Sequence, residues 1–133
     1  MLTGLNHITI SVSDLSKSID FYVNILGFTI KAKWNKGAYL LLGDLWFCLS
    51  VDTVSTSNDY THYAFSISGQ LFDRFTEKLK KSEVLEWKVN KSEGKSFYFL
   101  DPDGHKLEIH DGDIESRINS CIDKPYEGMK FFD

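Results

Sequence analysis

This sequence has little cysteine, no long apolar run and no excess of basic residues, and each absence excludes a class of protein. Its two cysteines, Cys48 and Cys121, have neither CxxC nor zinc-type spacing, so we expect two reduced thiols. No apolar run approaches the roughly 20 residues that span a bilayer, and the N-terminus lacks the charged and apolar regions of a signal peptide. The formal net charge of −4 argues against nucleic acid or an anionic membrane as the main partner. We therefore expect a cytoplasmic globular protein.

The first 51 residues carry the pattern of a strand, a helix and three further strands. Residues 5–12 alternate between apolar and polar side chains, with His7 and Thr9 on the polar face. A helical apolar stripe follows and stops at Gly27. Three further strands are predicted over residues 28–34, 37–42 and 45–51. This order is that of one βαβββ module.

After a polar linker the same pattern starts again. Residues 61–68 alternate in the same way, and His62 takes the place that His7 holds in the first half. A helix, a short strand near 84–89 and a β-hairpin over 96–110 follow. We infer an internal duplication with a period of about 55 residues. The 133 residues then form one α+β domain: module one about 1–51, linker about 52–59, module two about 60–110, and a C-terminal helix and tail over 111–133.

A lone carboxylate in the apolar hairpin points to a metal site. Glu108 lies between Leu107 and Ile109, and a buried charge without a partner is costly. The polar faces that carry His7 and His62 offer that partner. Two imidazoles and one carboxylate form a three-ligand set that leaves positions open for water or substrate.

Several neighbouring residues leave alternatives open. The first-half counterpart of Glu108 falls near Cys48 or Ser50, depending on the strand register. His105 is expected to be exposed in the hairpin turn, and His110 is a weaker rival ligand, expected to be solvated at the strand end. The polar loop over 88–96 is either a site for a cation or an anionic substrate, or an ordinary solvated loop.

Seven segments resemble one known family across essentially the whole chain. They are GLNHIT (4–9), GAYL (37–40), LWFCLS (45–50), YTHYAF (60–65), NKSEG (90–94), the hairpin 97–108 and PYEGM (125–129). The chain resembles the metal-dependent fosfomycin-resistance glutathione transferases (FosA type) of the vicinal oxygen chelate superfamily. The resemblance implies two tandem βαβββ modules in the glyoxalase/bleomycin resistance-like fold. It also implies a homodimer with exchanged arms, in which His7 of one subunit joins His62 and Glu108 of the other around Mn(II).

The same resemblance implies roles for further residues. Thr9 would bind the oxirane oxygen and help to protonate the alkoxide, and Tyr39 would lie near the glutathione thiol. The residues implied for the fosfomycin site are Trp46, Lys88, Ser92, Tyr98, Arg117 and Tyr126. Those implied for the thiol channel are Trp34, Lys36, Ser50 and Lys91. The implied potassium ligands are Asn90, Ser92, Gly94 and Ser96.

The implied reaction is the addition of the glutathione thiol to the epoxide of fosfomycin. Lys36 and Lys91 stand where glutamine and arginine are common in the family, and a lysine lacks the bidentate fork of arginine. Four alternatives remain. They are attack by water, attack by another thiol, antibiotic sequestration without chemistry, and another reaction of the superfamily.

Overall fold

Two four-stranded β-sheets, one from each half of the sequence, frame the structure, a computed structural model that describes residues 1–133. The first sheet contains β1 (His7–Val12), β2 (Thr29–Trp34), β3 (Gly37–Leu42) and β4 (Leu45–Val51), in the order β1-β4-β3-β2. The second contains β5 (Tyr63–Ser66), β6 (Glu86–Lys88), β7 (Lys95–Leu100) and β8 (Lys106–Asp111), in the order β5-β8-β7-β6. In chain order, the first and last strands of each sheet pair in parallel, β1 with β4 and β5 with β8. The other strand pairs are antiparallel.

Three helices complete the two halves. They are α1 (Leu15–Ile19), α2 (Gly69–Lys81) and α3 (Ile114–Asp123). Helix α1 continues as a π-helical segment over Asp20–Ile25 before Gly27 adopts φ +89°, so the first helix ends where the sequence predicted but changes its winding. The predicted α+β class with two βαβββ units is confirmed.

The strand registers identify the first-half counterpart of Glu108. Thr9 lies opposite Cys48 in the first sheet, and Ala64 lies opposite Glu108 in the second. Thr9 and Ala64 each stand two residues after the equivalent histidine. Cys48 is therefore the counterpart, and its buried thiol replaces the carboxylate.

An apolar core joins the two halves. The Phe28 ring lies 5.3 Å from Phe47 of the first sheet and 5.5 Å from Phe65 of the second. One face of each sheet therefore supports the core, while the opposite face carries the polar residues of the predicted site.

The helices and the two cysteines bear on two expectations from the sequence. None of the helices has the length and apolar character needed to cross a membrane. Cys48 and Cys121 are both buried and form no disulfide, as the sequence predicted.

The turn between β7 and β8 fastens the second half to the first. His105 Nε2 donates a hydrogen bond to the Ser11 carbonyl at 2.7 Å, and the Ser13 backbone N–H and hydroxyl both donate to the Asp103 carboxylate. The expectation of an exposed His105 is wrong. Its ring is half-buried, because the Ser11 carbonyl of β1 accepts its N–H.

A buried pair forms a third link at the same turn. The Tyr22 hydroxyl donates to Asp101 Oδ2 at 2.7 Å, and the two residues are 0% and 5% exposed. Burial raises the pKa of Tyr22, and the charge of Asp101 raises it further. Burial also raises the pKa of Asp101, although the hydrogen bond from Tyr22 opposes part of this rise.

We expect Tyr22→Phe to lower the free energy of unfolding by about 1–3 kcal/mol near neutral pH, because Asp101 loses a buried donor. Without that donor the pKa of folded Asp101 rises further, so the folded variant binds a proton more readily than the folded wild type. A raised carboxyl pKa in the folded state favours folding as the pH falls, so the loss should shrink in acid. Urea denaturation at about pH 7 and about pH 4 measures this. A loss that grows in acid would contradict the argument.

Candidate active site

His62 and Glu108 meet at the parallel β5–β8 edge of the second sheet. His62 Nδ1 donates to the Tyr60 carbonyl at 2.8 Å, which leaves the lone pair of a neutral ring on Nε2. That Nε2 lies 3.0 Å from Oε1 of Glu108, a residue only 6% exposed. Two electron-pair donors therefore converge on one point, which suits a cation. A histidine that donates its other N–H to a backbone carbonyl is typical of metal ligands.

His7 shows the same arrangement on the exposed face of the first sheet. Its Nδ1 lies 2.7 Å from the Asn6 side-chain oxygen, and its ring lies 4.3 Å from Trp46. Because Asn6 engages Nδ1, Nε2 is left available to a ligand.

The predicted triad does not form within one chain. No group of three histidine, cysteine, aspartate or glutamate side chains comes close enough to hold a metal. His7 belongs to the first sheet, whereas His62 directly precedes β5 of the second sheet and Glu108 lies in its β8. One chain thus supplies the two parts of the predicted site on separate surfaces.

A charged lysine lies beside the His62–Glu108 pair. The Lys88 ammonium donates to the Tyr60 hydroxyl and lies 4.5 Å from the Tyr60 ring and 4.9 Å from the Tyr98 ring. The hydrogen bond with Tyr60 raises the pKa of Lys88, so the group stays cationic at neutral pH. Tyr98 in turn pairs with Glu108 across β7 and β8. The carboxylate and the cation therefore share one polar face.

Arg117 of helix α3 lies against the polar loop before β7. Its Nε donates to Glu93 Oε1 at 3.0 Å, and its Nη2 lies 3.3 Å from the Ser92 hydroxyl. Partial burial lowers the pKa of Arg117, but the hydrogen bonds and charges of Glu93 and Tyr126 together outweigh it, so the net pKa rises. The loop also bonds to itself, since Asn90 Nδ2 donates to the Gly94 carbonyl at 2.9 Å. Lys91 and Tyr126 help to line a cavity of about 280 Å³ at this place.

The other predicted residues lie on the first sheet. Trp34, Tyr39 and Trp46 form a row with ring distances of 4.7 and 5.3 Å, and the row ends at His7. The row and the two remaining β-strand residues, Thr9 and Ser50, are exposed or partly exposed. Lys36 lies in the turn before β3, where its carbonyl accepts from the backbone of β4. None of the hydrogen bonds or ring contacts connects this group to Lys88, Arg117 or Glu108.

Sequence reasoning missed the two contacts of Ser96 beside Glu108, and it also missed Tyr60 and Glu93. Ser96 Oγ lies 2.6 Å from both Glu108 Oε2 and His110 Nδ1. The expectation of a solvated His110 is wrong, because its side chain is only 15% exposed and bonds to Ser96. Tyr60 was also missed, although it stands two residues before His62 and its ring lies 4.8 Å from the His62 ring. Glu93 gave no sequence signal beyond its place in a polar loop.

A protein-family model covers most of this chain. The model of the Glyoxalase/Bleomycin resistance protein/Dioxygenase superfamily matches residues 4–109. The chain belongs to this superfamily. Membership confirms the predicted fold class.

Relatives within the superfamily are Fos proteins. The chain is 52% identical to "Glutathione transferase FosA" of Serratia marcescens, over 98% of this chain and 96% of that protein. It is 40% identical to "Metallothiol transferase FosB" of Staphylococcus saprophyticus, over 100% and 92% of the two chains. The resemblance to FosA-type proteins is thereby confirmed.

Solved structures of fosfomycin resistance proteins share the fold. FosX from Listeria monocytogenes superposes with a TM-score of 0.82 at 33% identity, covering 90% of this chain and 99% of that one. A FosX mutant in complex with Mn(II) and dihydroxypropylphosphonic acid gives a TM-score of 0.82 at 31% identity, covering 89% and 99%.

Proposed function

We propose that this protein is a metal-dependent transferase that inactivates fosfomycin by adding the glutathione thiol to its epoxide. The observation that carries the proposal is the convergence of His62 and Glu108 beside the cationic Lys88. This arrangement occurs in a chain that is 52% identical to a protein named glutathione transferase FosA.

The histidine–carboxylate pair fits a divalent cation, and we propose Mn(II). His62 and Glu108 of one subunit would hold it together with His7 of the partner subunit, since His7 keeps Nε2 available. A bound divalent ion supplies Lewis-acid polarisation of the epoxide oxygen. The FosX complex with Mn(II) supports this choice of metal.

Charged and hydroxyl groups of the second half suit the phosphonate of fosfomycin. Lys88 and Arg117 bring two cations, while Ser92 and Tyr98 bring hydroxyl groups. Such preorganised charges hold the substrate and exclude misaligned poses. We assign K⁺ to the 90–96 loop through Asn90, Ser92, Gly94 and Ser96, where side-chain and carbonyl oxygens gather.

The first-sheet residues suit the remaining steps. The thiol sulfur bonds to an epoxide carbon while the carbon–oxygen bond breaks, and the resulting alkoxide needs a proton. We assign its hydrogen bond and protonation to Thr9, and contact with the thiol to Tyr39. Trp46 and Tyr126 would close the fosfomycin pocket, and the thiol channel would be lined by Trp34, Lys36, Ser50 and Lys91.

We further propose a homodimer that works in the cytoplasm, where glutathione is kept as a thiol. Trp34, Tyr39 and Trp46 are 44%, 40% and 37% exposed in the single chain. A partner subunit would cover this row of aromatic rings, and His7 of one subunit would then reach His62 and Glu108 of the other.

Phosphorus NMR of fosfomycin tests the reaction. We expect a new resonance only when protein, glutathione and Mn(II) are all present, with the metal removed before acquisition. Mass spectrometry should then show a glutathione adduct, because the thiol adds across the opened ring.

Three of the rivals have their own outcomes in the same experiment. A diol without a thiol adduct would indicate water as the nucleophile, and the diol in the FosX complex makes this the comparison of most interest. Conversion that requires a different thiol would indicate a transferase that does not use glutathione. An unchanged resonance with metal-loaded protein would reject catalysis and favour sequestration.

A further inference from the structure

We propose that His110 is a positioning residue, which holds the Glu108 carboxylate in place through the Ser96 hydroxyl. The role of Glu108 as a metal ligand rests on the proposed function. The contact between these three side chains does not, since it is a feature of the protein alone. Ser96 Oγ lies 2.6 Å from Glu108 Oε2 on one side and 2.6 Å from His110 Nδ1 on the other.

The number of available hydrogens determines which group donates in each hydrogen bond among His110, Ser96 and Glu108. An ionised carboxylate can only accept, so the single hydroxyl hydrogen of Ser96 must point to Glu108. Ser96 Oγ then acts as an acceptor toward His110, which requires a hydrogen on Nδ1. His110 is thus the donor that holds the serine hydroxyl, and the serine holds Oε2. Its sister atom Oε1 is left to face His62 at 3.0 Å.

Two glycines leave the space that the His110 ring occupies. A Cβ at Gly112 would lie 2.7 Å from His110 Nε2, and a Cβ at Gly94 would lie 3.1 Å from Cε1. Both glycines have positive φ, +153° and +76°, a region that other residues rarely adopt. The backbone therefore encloses the ring and limits its rotation, as a positioning role requires.

The enclosed ring also stands between the two functional clusters of the second half. His110 Nε2 lies 3.9 Å from Glu93 Oε1, and the same oxygen accepts from Arg117 at 3.0 Å. A displacement of the ring would therefore reach Glu108 through Ser96 and Arg117 through Glu93. Groups that orient a metal-binding carboxylate commonly change metal affinity or activity by about 10–100-fold when lost.

The test compares His110→Leu with His110→Asn. Asparagine keeps an N–H donor at the position of Nδ1, whereas leucine has none. We expect His110→Leu to raise the dissociation constant of Mn(II) alone by about 10–100-fold, measured from the electron paramagnetic resonance of free Mn(II), and His110→Asn to recover most of the affinity. In a Ser96→Ala background, His110→Leu should cause a much smaller loss than in the wild type, because the connecting hydroxyl is already absent and His110 Nδ1 keeps only a 3.5 Å contact with Glu108 Oε2. Additive losses in folded protein would overturn the proposal.

A second measurement uses the metal-free protein. Long-range ¹H–¹⁵N NMR should show the hydrogen of His110 on Nδ1, and a ring with hydrogen on Nε2 alone would overturn the proposal. The NMR measurement does not depend on Mn(II). If the wild-type protein binds no Mn(II), the proposed function is rejected, while the NMR measurement still shows whether His110 donates to Ser96. His105→Asn is the matched control, because His105 lies in the same hairpin but bonds to the Ser11 carbonyl. We expect it to change thermal stability and to leave Mn(II) affinity within about twofold of the wild type, below the range for groups that orient a ligand.

Discussion

A mixture of His7→Ala and Glu108→Ala chains should recover up to about a quarter of wild-type activity, although each variant alone is inactive. Random pairing makes half of the dimers mixed. If His7 of one subunit joins the second-sheet residues of the other, each mixed dimer has one intact site and one site with both defects. The structure supports this arrangement, because one chain does not bring His7 to His62 and Glu108. Co-refolding the two variants and measuring glutathione-dependent turnover of fosfomycin tests it.

The control mixture combines His62→Ala with Glu108→Ala. Both residues lie in the second half and meet within one chain, so no pairing of these chains assembles an intact site. The control should stay inactive while the first mixture gains activity. Native mass spectrometry confirms that mixed dimers have formed in both samples. Mixed dimers of the first pair without activity would show that the site does not combine residues of two subunits.

Glu108→Gln should abolish Mn(II) binding and lower turnover by about 10³-fold or more, because a metal supplies several kcal/mol of transition-state stabilisation. The amide keeps the size of the side chain and can still accept from Ser96. It removes the negative charge that meets the ring nitrogen of His62. The experiment measures bound Mn(II) by elemental analysis and fosfomycin turnover by phosphorus NMR.

Glu86→Gln provides the matched control for this variant. Glu86 is exposed on β6 and takes part in no ion pair, so its loss should change neither metal content nor rate. Full Mn(II) content in folded Glu108→Gln would mean that Glu108 is not a ligand. Full turnover without Mn(II) would remove the metal from the proposed reaction.

The repeated pattern of the sequence was sufficient for the fold. Alternation around His7 and His62, with a helix and three strands after each, predicted two βαβββ units, and both sheets have that topology. Local patterns suffice here because side chains alternate along a strand whatever lies next to it. The π-helical winding over Asp20–Ile25 was not predictable, since an apolar stripe does not distinguish it from an α-helix.

For the site, alternation in the sequence by itself determined that His7, His62 and Glu108 lie on polar strand faces, and their role in the chemistry stays a prediction. The roles of Lys88 and Arg117 as cations of the site were implied only by the family resemblance. The family resemblance already implied that His7 stays apart from His62 and Glu108 within one chain. Only the tertiary structure decided that Ser96 and His110 contact the carboxylate side by side, and that His105 bonds to Ser11 of the first sheet. Those contacts connect residues of different strands or sheets. They depend on strand register and on the packing of the two halves, which alternation along one strand does not specify.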